Sequence, residues 1–301
     1  VVPFLGAGAN LAERPDKTPW ELGKYLPSGA ELAAVLAQKS RYPESDRDLL
    51  RVSQYVDAML GERALYQYLR ALFNADYPPT LLHRLLARIP AVARAQGQRY
   101  QLIITTNYDD ALERALVEQH EEFDLVWYEA KRGVSCGKFL HRPPGGEVVS
   151  IDKPNEYDGL SLDRRTVVLK LHGAVNREDA RQDSYVITED NYIDYLSRND
   201  ISAQIPMSLL DAMEESSFLF LGYSMRDWNL RVILNRLWGS AALDVQSWAI
   251  QREHLDPKQN EIEKKLWADR GDVDLLQLPL SDYVQRLDGE LESQVKEAVG
   301  G

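Results

Sequence analysis

Only one cysteine, Cys136, occurs in 301 residues. A lone thiol cannot close an internal disulfide or furnish a multi-cysteine zinc ribbon, so a reducing, cytoplasmic setting is the expectation. Cys136 itself reads as inert or as a surface loop residue. Long apolar runs are missing as well. A stretch such as Phe218–Leu221 has the length of a buried strand and falls far short of the roughly 18 residues that cross a bilayer. Neither a membrane segment nor a signal peptide is therefore expected. There is no excess of positive charge: 47 acidic against 35 basic residues leave a net charge of −12. A surface of that sign repels a phosphate backbone, so direct nucleic-acid binding is not expected of this chain alone, although a partner subunit could supply it. Val1 stands at the start of an apolar run and the sequence closes on Gly300-Gly301, which leads us to expect a piece of a longer chain.

What is present is ordinary globular composition, 44% hydrophobic and 27% charged, enough to build a substantial core. The length is large for one compact unit, so an inserted subdomain is expected. Residues 1–5 read as a short buried strand, and Gly6-Ala7-Gly8-Ala9-Asn10 turns out of it. Residues 11–28, with Pro15, Pro19 and Pro27, read as an irregular loop. From residue 29 the spacing becomes helical, with Leu32, Val35, Leu36, Leu49, Leu50, Val52, Tyr55, Val56, Tyr66, Leu69, Leu72 and Phe73 recurring at three and four. Residues 29–97, ending in a helix over 81–89, are thus expected to form a mostly helical insertion between 1–28 and a core of 98–301.

Strand-like runs follow at 101–106, 166–171, 217–222, 245–250 and 273–278, separated by helices or loops, with a last helix over 281–299. Short apolar strands alternating with helices predict an α/β fold, a Rossmann-like parallel sheet with helices on both faces. Residues 128–165, rich in glycine and proline with no clear period, read as a long loop excursion facing a function or a partner.

Four strand ends carry polar or glycine-rich signals. In open α/β sheets ligands bind outside the carboxyl ends of strands. Gly6-Ala7-Gly8 would let the backbone approach a pyrophosphate, or it is merely a tight turn, since Leu11 stands where a third glycine would complete a dinucleotide fingerprint. The run Leu102–Asp110 stops abruptly at Thr106, Asn107 and Asp109. Asp109 or Asp110 could equally cap the helix that begins at Ala111. His172-Gly173 ends another buried strand, with a structural histidine as the plain alternative. Gly222-Tyr223-Ser224 ends a fourth; Ser224 can donate to a phosphate or ribose hydroxyl, and Asp227 can cap the helix that follows. Trp20, in Thr18–Leu22, is read either as the anchor of a lid or as packing onto the helical insertion.

Gly-Ala-Gly, Thr-Asn-Tyr-Asp, His-Gly and Gly-Tyr-Ser, in that order, resemble the sirtuin family, and more closely the prokaryotic sirtuin-like domains of antiphage defence effectors. The segments 83–87, 188–192, 248–250 and 266–273 are similar too. The resemblance covers nearly the whole chain. It implies NAD as substrate, with Gly6, Ala7, Gly8, Ala9 and Asn10 beside the phosphates, and Thr106, Gly222, Tyr223 and Ser224 also on the cofactor. Asn107, His172 and Asp109 would be the catalytic set, which leaves the capping of the helix at Ala111 to Asp110. Thr106 stands where deacylases carry a glutamine, and the cysteine quartet of their zinc module is absent, so no zinc is expected and the resemblance implies hydrolysis of NAD rather than deacylation.

Cleaving the nicotinamide–ribose bond generates an oxocarbenium-like sugar while expelling an already cationic ring, so no strong acid is needed. Asn107 would hold water or ribose hydroxyls, Asp109 would orient Asn107 or face the cation, and His172 would accept a proton. The resemblance further implies a homo-oligomer or a separate sensor subunit that gates the activity. Two other readings stand beside it: a non-catalytic NAD- or ADP-ribose-binding regulatory module, and an NAD-dependent deacylase or ADP-ribosyltransferase.

Overall fold

A computed structural model describes residues 1–15, 17–45, 47–197, 201–224, 228–238, 243–254, 256–269 and 271–300. Asp227, read from the sequence as a helix cap, lies outside the described residues. Strand β1 (Val2–Leu5) is followed by a short 3-10 turn at Ala7–Leu11 and then by four helices: α1 (Gly29–Ser40), α2 (Leu49–Leu60), α3 (Glu62–Phe73) and α4 (Leu81–Ala95). Next come β2 (Leu102–Thr105), α5 (Ala111–Glu118), β3 (Phe123–Tyr128), β4 (Phe139–Arg142), β5 (Val149–Ser150) and β6 (Thr166–Lys170). The chain continues through α6 (Glu189–Ser197), α7 (Met207–Glu214), β7 (Phe218–Leu221), α8 (Trp228–Trp238), β8 (Leu243–Gln251), α9 (Pro257–Ala268), β9 (Gly271–Gln277) and α10 (Leu280–Gly300).

Among the described residues the strands form one sheet in the order β5-β4-β3-β6-β2-β1-β7-β8-β9. Every pairing from β3 to β9 is parallel, whereas β4 and β5 add an antiparallel edge. The sequence run 128–165, read as a loop excursion, therefore contributes two strands, and β3 is a strand the apolar pattern missed.

Alternation along the strands divides the core into two layers. Phe4, Ile104, Val167, Leu169, Phe218 and Phe220 meet Tyr192, Leu209, Leu230 and Trp267 from α6 to α9 on one face. Leu5, Ile103, Val168 and Leu221 meet Leu82, Leu86, Leu112, Leu116 and Val284 from α4, α5 and α10 on the other. Both faces being apolar is why these strands read as continuous hydrophobic runs, the signature of a doubly covered parallel sheet.

Helices α1–α3 gather a third cluster around Leu36, Val56, Leu69 and Phe73, joined by Tyr185 and Ile187 from the stretch after β6. Their ends follow local chemistry. Ser28 and Glu31 form a reciprocal capping box at α1, and Asp48 accepts from Leu50 N and Arg51 N at α2. Trp20 packs against this cluster, in line with the second of its two readings. Helix α4 passes Pro90 and continues to Ala95, beyond residue 89 where the sequence pattern stops; Pro90 and Ala93 are buried, and that packing holds the helix past the residue lacking a donor.

Candidate active site

Strand order reverses around β1, with β2 on one side and β7 on the other. The crevice at this switch point opens over the carboxyl ends of β1, β2, β6 and β7, the four ends that carry the polar signals. A cavity of about 270 Å³ there is lined by Ala7, Asn10, Thr106, Asn107, Asp109, His172, Tyr192, Gly222, Tyr223 and Ser224 among others. A larger one, about 720 Å³, shares Gly222, Tyr223 and Ser224 with it and extends past Gly8, Arg14, Lys17, Gln251, Arg252 and Ser281. The structure thus brings together residues from 6 to 224.

The glycines are required by one another. A Cβ on Gly8 would lie 2.7 Å from the Gly222 carbonyl oxygen, and one on Gly222, whose φ is +76°, would lie 2.1 Å from Ala9 N. Backbone bonds complete the contact: Gly6 N donates to Leu221 O (2.9 Å) and Gly8 N to Gly222 O (3.0 Å). Two turns on neighbouring strands therefore touch main chain to main chain, which no residue with a side chain permits. Above them Tyr223 OH donates to Leu5 O (2.9 Å) and lies 2.8 Å from Thr106 Oγ1.

Asn107 is fixed from two sides. Its N–H donates to Thr105 Oγ1 (3.0 Å) and its Nδ2 to Gly6 O (3.0 Å). The second bond orients the amide, leaving Oδ1 as an acceptor at the cavity. Asp109, 5% exposed, receives Asn10 Nδ2 on Oδ2 (2.7 Å) and Ala111 N on Oδ1 (3.1 Å). Capping of α5 therefore falls to Asp109. The sequence reading that gave the cap to Asp110 is thereby corrected: Asp110 makes no cap bond, because its carboxylate is drawn to Arg177 and Arg114. The carboxylate of Asp109 orients Asn10 rather than Asn107, and because it takes the Asn10 donor, Asn10 Oδ1 is left buried with no partner among the described residues.

His172 is 4% exposed, with Nδ1 at 3.4 Å from Tyr192 OH and its ring edge-on to Tyr192 and Tyr195. Nε2 is buried and has no hydrogen-bond partner among the described residues. Burial alone pushes the imidazole down to about 3, so it is neutral throughout the physiological range. Ser224 Oγ donates to Glu263 Oε1 (2.5 Å), a fully buried carboxylate on α9. Arg14 is held by Glu31, whose carboxyl it lowers to about 2. Glu263 and the Arg14–Glu31 pair were not singled out from the sequence, and Tyr192 entered only within the segment 188–192 with no role given; isolated residues on loops and helices carry no period or strand-end signal. Among the described residues no three His, Cys, Asp or Glu side chains cluster as a metal site would require, and no helix is long and apolar enough to cross a membrane.

A doubly covered, mostly parallel sheet with polar side chains converging over its switch point defines the Rossmann-like class of α/β fold. The profile of the family described as SIR2-like domain matches residues 101–272, and the chain belongs to that family. Residues of this chain are also similar to three curated proteins. They are 25% identical over 194 residues to "NAD(+) hydrolase ThsA" of Cytobacillus dafuensis, covering 64% of this chain and 31% of that protein. They are 26% identical over 247 residues to the protein of the same name from Bacillus cereus (strain MSX-D12), covering 80% and 42%. They are 24% identical over 238 residues to "Defense-associated sirtuin 2" of Bacillus subtilis, covering 78% and 19%. The chain thus spans between about a fifth and two fifths of the length of these relatives.

Proposed function

We propose that this chain is the catalytic domain of an NAD hydrolase that serves antiphage defence, converting NAD and water into nicotinamide, ADP-ribose and a proton. The observation that carries the reading is the acceptor character of the smaller cavity. Asn107 Oδ1 is left to accept because its Nδ2 donates to Gly6 O, and Asn10 Oδ1 is left to accept because its Nδ2 donates to Asp109. In the tautomer that keeps its proton on Nδ1, His172 adds Nε2 as a third acceptor. Acceptors suit ribose hydroxyls, a carboxamide NH2 and a sugar gathering positive charge; they do not suit a phosphate. The names of the relatives, two of which hydrolyse NAD(+) and one of which is defence-associated, point the same way.

In this reading the nicotinamide ribose lies in the smaller cavity and the dinucleotide passes Gly222–Ser224 into the larger one, which Lys17 and Arg252 also line. Asn10 belongs to the nicotinamide end rather than to the phosphates. Asn107 positions the attacking water or the ribose hydroxyls, and preorganisation of such groups supplies most of the acceleration. His172, neutral and weakly basic, acts as a hydrogen-bond acceptor that orients water; the proton released on attack passes to solvent. The setting is cytoplasmic, where NAD is available. Because constant hydrolysis would drain the host's own pool, the activity is gated by self-assembly or by a partner, which the greater length of the relatives would accommodate.

The test is product analysis on the purified full chain, with and without candidate partners, comparing wild type with Asn107→Ala. Wild type is expected to yield nicotinamide and free ADP-ribose, and the variant to lose on the order of a hundredfold in turnover. Unchanged turnover in Asn107→Ala, or acylated ADP-ribose as the product, would overturn the proposal.

A further inference from the structure

Lys170 closes β6 two residues before His172, and its side chain is 1% exposed. An ammonium has three hydrogens, and here three acceptors surround it. Glu113 Oε1 on α5 stands at 2.6 Å, the carbonyl oxygen of Tyr108 at 3.5 Å, and the carbonyl oxygen of Asp109 also accepts. In the sheet Lys170 pairs with Thr105, the last residue of β2. One buried side chain therefore reaches from the strand that bears His172 to the turn that bears Asn107 and Asp109, and on to the first turn of the helix behind them.

A buried ion pair is a poor device for stability. Desolvating two ions opposes their attraction, and apolar residues of similar volume commonly serve as well or better. Burial pushes the Glu113 carboxyl up while Lys170 draws it back, the signature of a pair held where water would be cheaper. The geometry gives the pair another purpose, because two of the three ammonium hydrogens go to the backbone of the turn rather than to the counter-ion. Tyr108 O accepts in addition from Val175 N (2.8 Å), on the loop beyond His172, so the turn is tied to the β6 side at two levels.

We propose that Lys170 is a positioning residue that fixes the turn 106–110, and with it Asn107 and Asp109, relative to His172, with Glu113 as its buried counter-ion. It touches no substrate; it acts through the carbonyls of Tyr108 and Asp109. The kinetic part of this inference rests on the hydrolase reading, whereas the positioning itself does not.

The experiment uses the full chain carrying Lys170→Met together with Glu113→Leu, which removes both charges so that neither ion is left without its counter-ion. Its unfolding midpoint is expected to fall less than that of Lys170→Met alone, since an apolar pair replaces an ionic one and only the donor to the turn carbonyls is lost. Amide exchange at residues 106–110 is expected to quicken about tenfold relative to β6. Nicotinamide release is expected to fall about a hundredfold in kcat with KM changed less than about threefold, the pattern of misplaced reacting groups with binding retained. Lys170→Met alone, which strands Glu113, should lose both stability and kcat. A double variant that regains wild-type kcat along with its stability, or shows unchanged exchange at 106–110, would overturn the inference. If wild type releases no nicotinamide, the hydrolase reading fails, and the exchange measurement still decides the role of Lys170.

Discussion

His172 in the folded chain should refuse a proton that the unfolded chain accepts, and the stability of the protein should register the difference. Its ring is 4% exposed between Tyr192 and Tyr195, no carboxylate bonds to it, and burial takes it down to about 3 from an ordinary value of 6.5. A depressed histidine destabilises the fold in acid. The stability it permits is fully present above about 6.5 and is lost as pH falls from there toward 3, with a slope of about 1 kcal/mol per pH unit. Between pH 7.5 and 5.5 only the lower unit counts, so the loss from this residue is roughly 1 kcal/mol. Other groups titrate in the same window: His83 is lowered to about 4 and Glu129 raised to about 7, with opposite signs. The clean quantity is therefore a difference between two proteins. Urea denaturation of wild type and His172→Gln at both pH values should show a smaller acid loss in the variant, by roughly 1 kcal/mol. Equal acid losses would mean that His172 titrates normally in the fold and that the chamber around it is wet or acidic.

Gly222→Ala should be among the most damaging single changes, because its Cβ would fall 2.1 Å from Ala9 N on a backbone at φ +76°; a cost of about 3 kcal/mol or more is expected, and a melting temperature within about 1 °C of wild type would contradict the interlock. Glu129 is 7% exposed, and burial raises its carboxyl to about 7, so its ionisation costs stability as pH rises from about 4.5 to 7 and the loss levels off above that. Glu129→Gln should accordingly raise the melting temperature at pH 8 and do little at pH 5; the reverse order would refute the assignment.

The strands that frame the crevice were legible because both faces of the sheet are covered, so β1, β2, β6 and β7 appear as unbroken apolar runs that stop at polar residues. Strand β3 escaped because Asp124 interrupts it. That aspartate is 1% exposed and accepts from Arg165 Nε (2.8 Å), with His141 Nε2 at 2.9 Å, partners distant in sequence. A buried charge satisfied only by the tertiary fold looks, in one dimension, like a surface residue. Strands β4 and β5 are short and antiparallel at the edge, surrounded by turn residues, and give no period to read.

The candidate site was legible as a set of strand ends but not as a wiring diagram. Nothing in Asn-Tyr-Asp-Asp distinguishes the aspartate that caps α5 from the one that pairs with Arg177; the difference is which oxygen meets Ala111 N. Gly6 and Gly8 read as a tight turn with room for a close backbone approach, and nothing in the pattern showed that a Cβ on either would meet Gly222. Lys170 sat in plain view beside His172 and carried no signal, since a lysine at a strand end usually reaches solvent.

The main-chain contact between the Gly6–Gly8 turn and Gly222 also fixes when the chamber comes into being. A ribosome delivers residues in order, and a domain folds as a unit once its parts are available. Strand β1 lies between β2 and β7, and Tyr223 OH must reach Leu5 O before the roof over Thr106 is closed. A nascent chain that has displayed Asn107 and His172 but not yet β7 still has one flank of β1 bare and no wall where Gly222, Tyr223 and Ser224 will stand. It holds Asn107 and His172 but leaves the cavity open on the side that β7 and the Gly222–Ser224 turn will close. Under the proposed function, a stalled or truncated chain would be harmless to the cell that is making it.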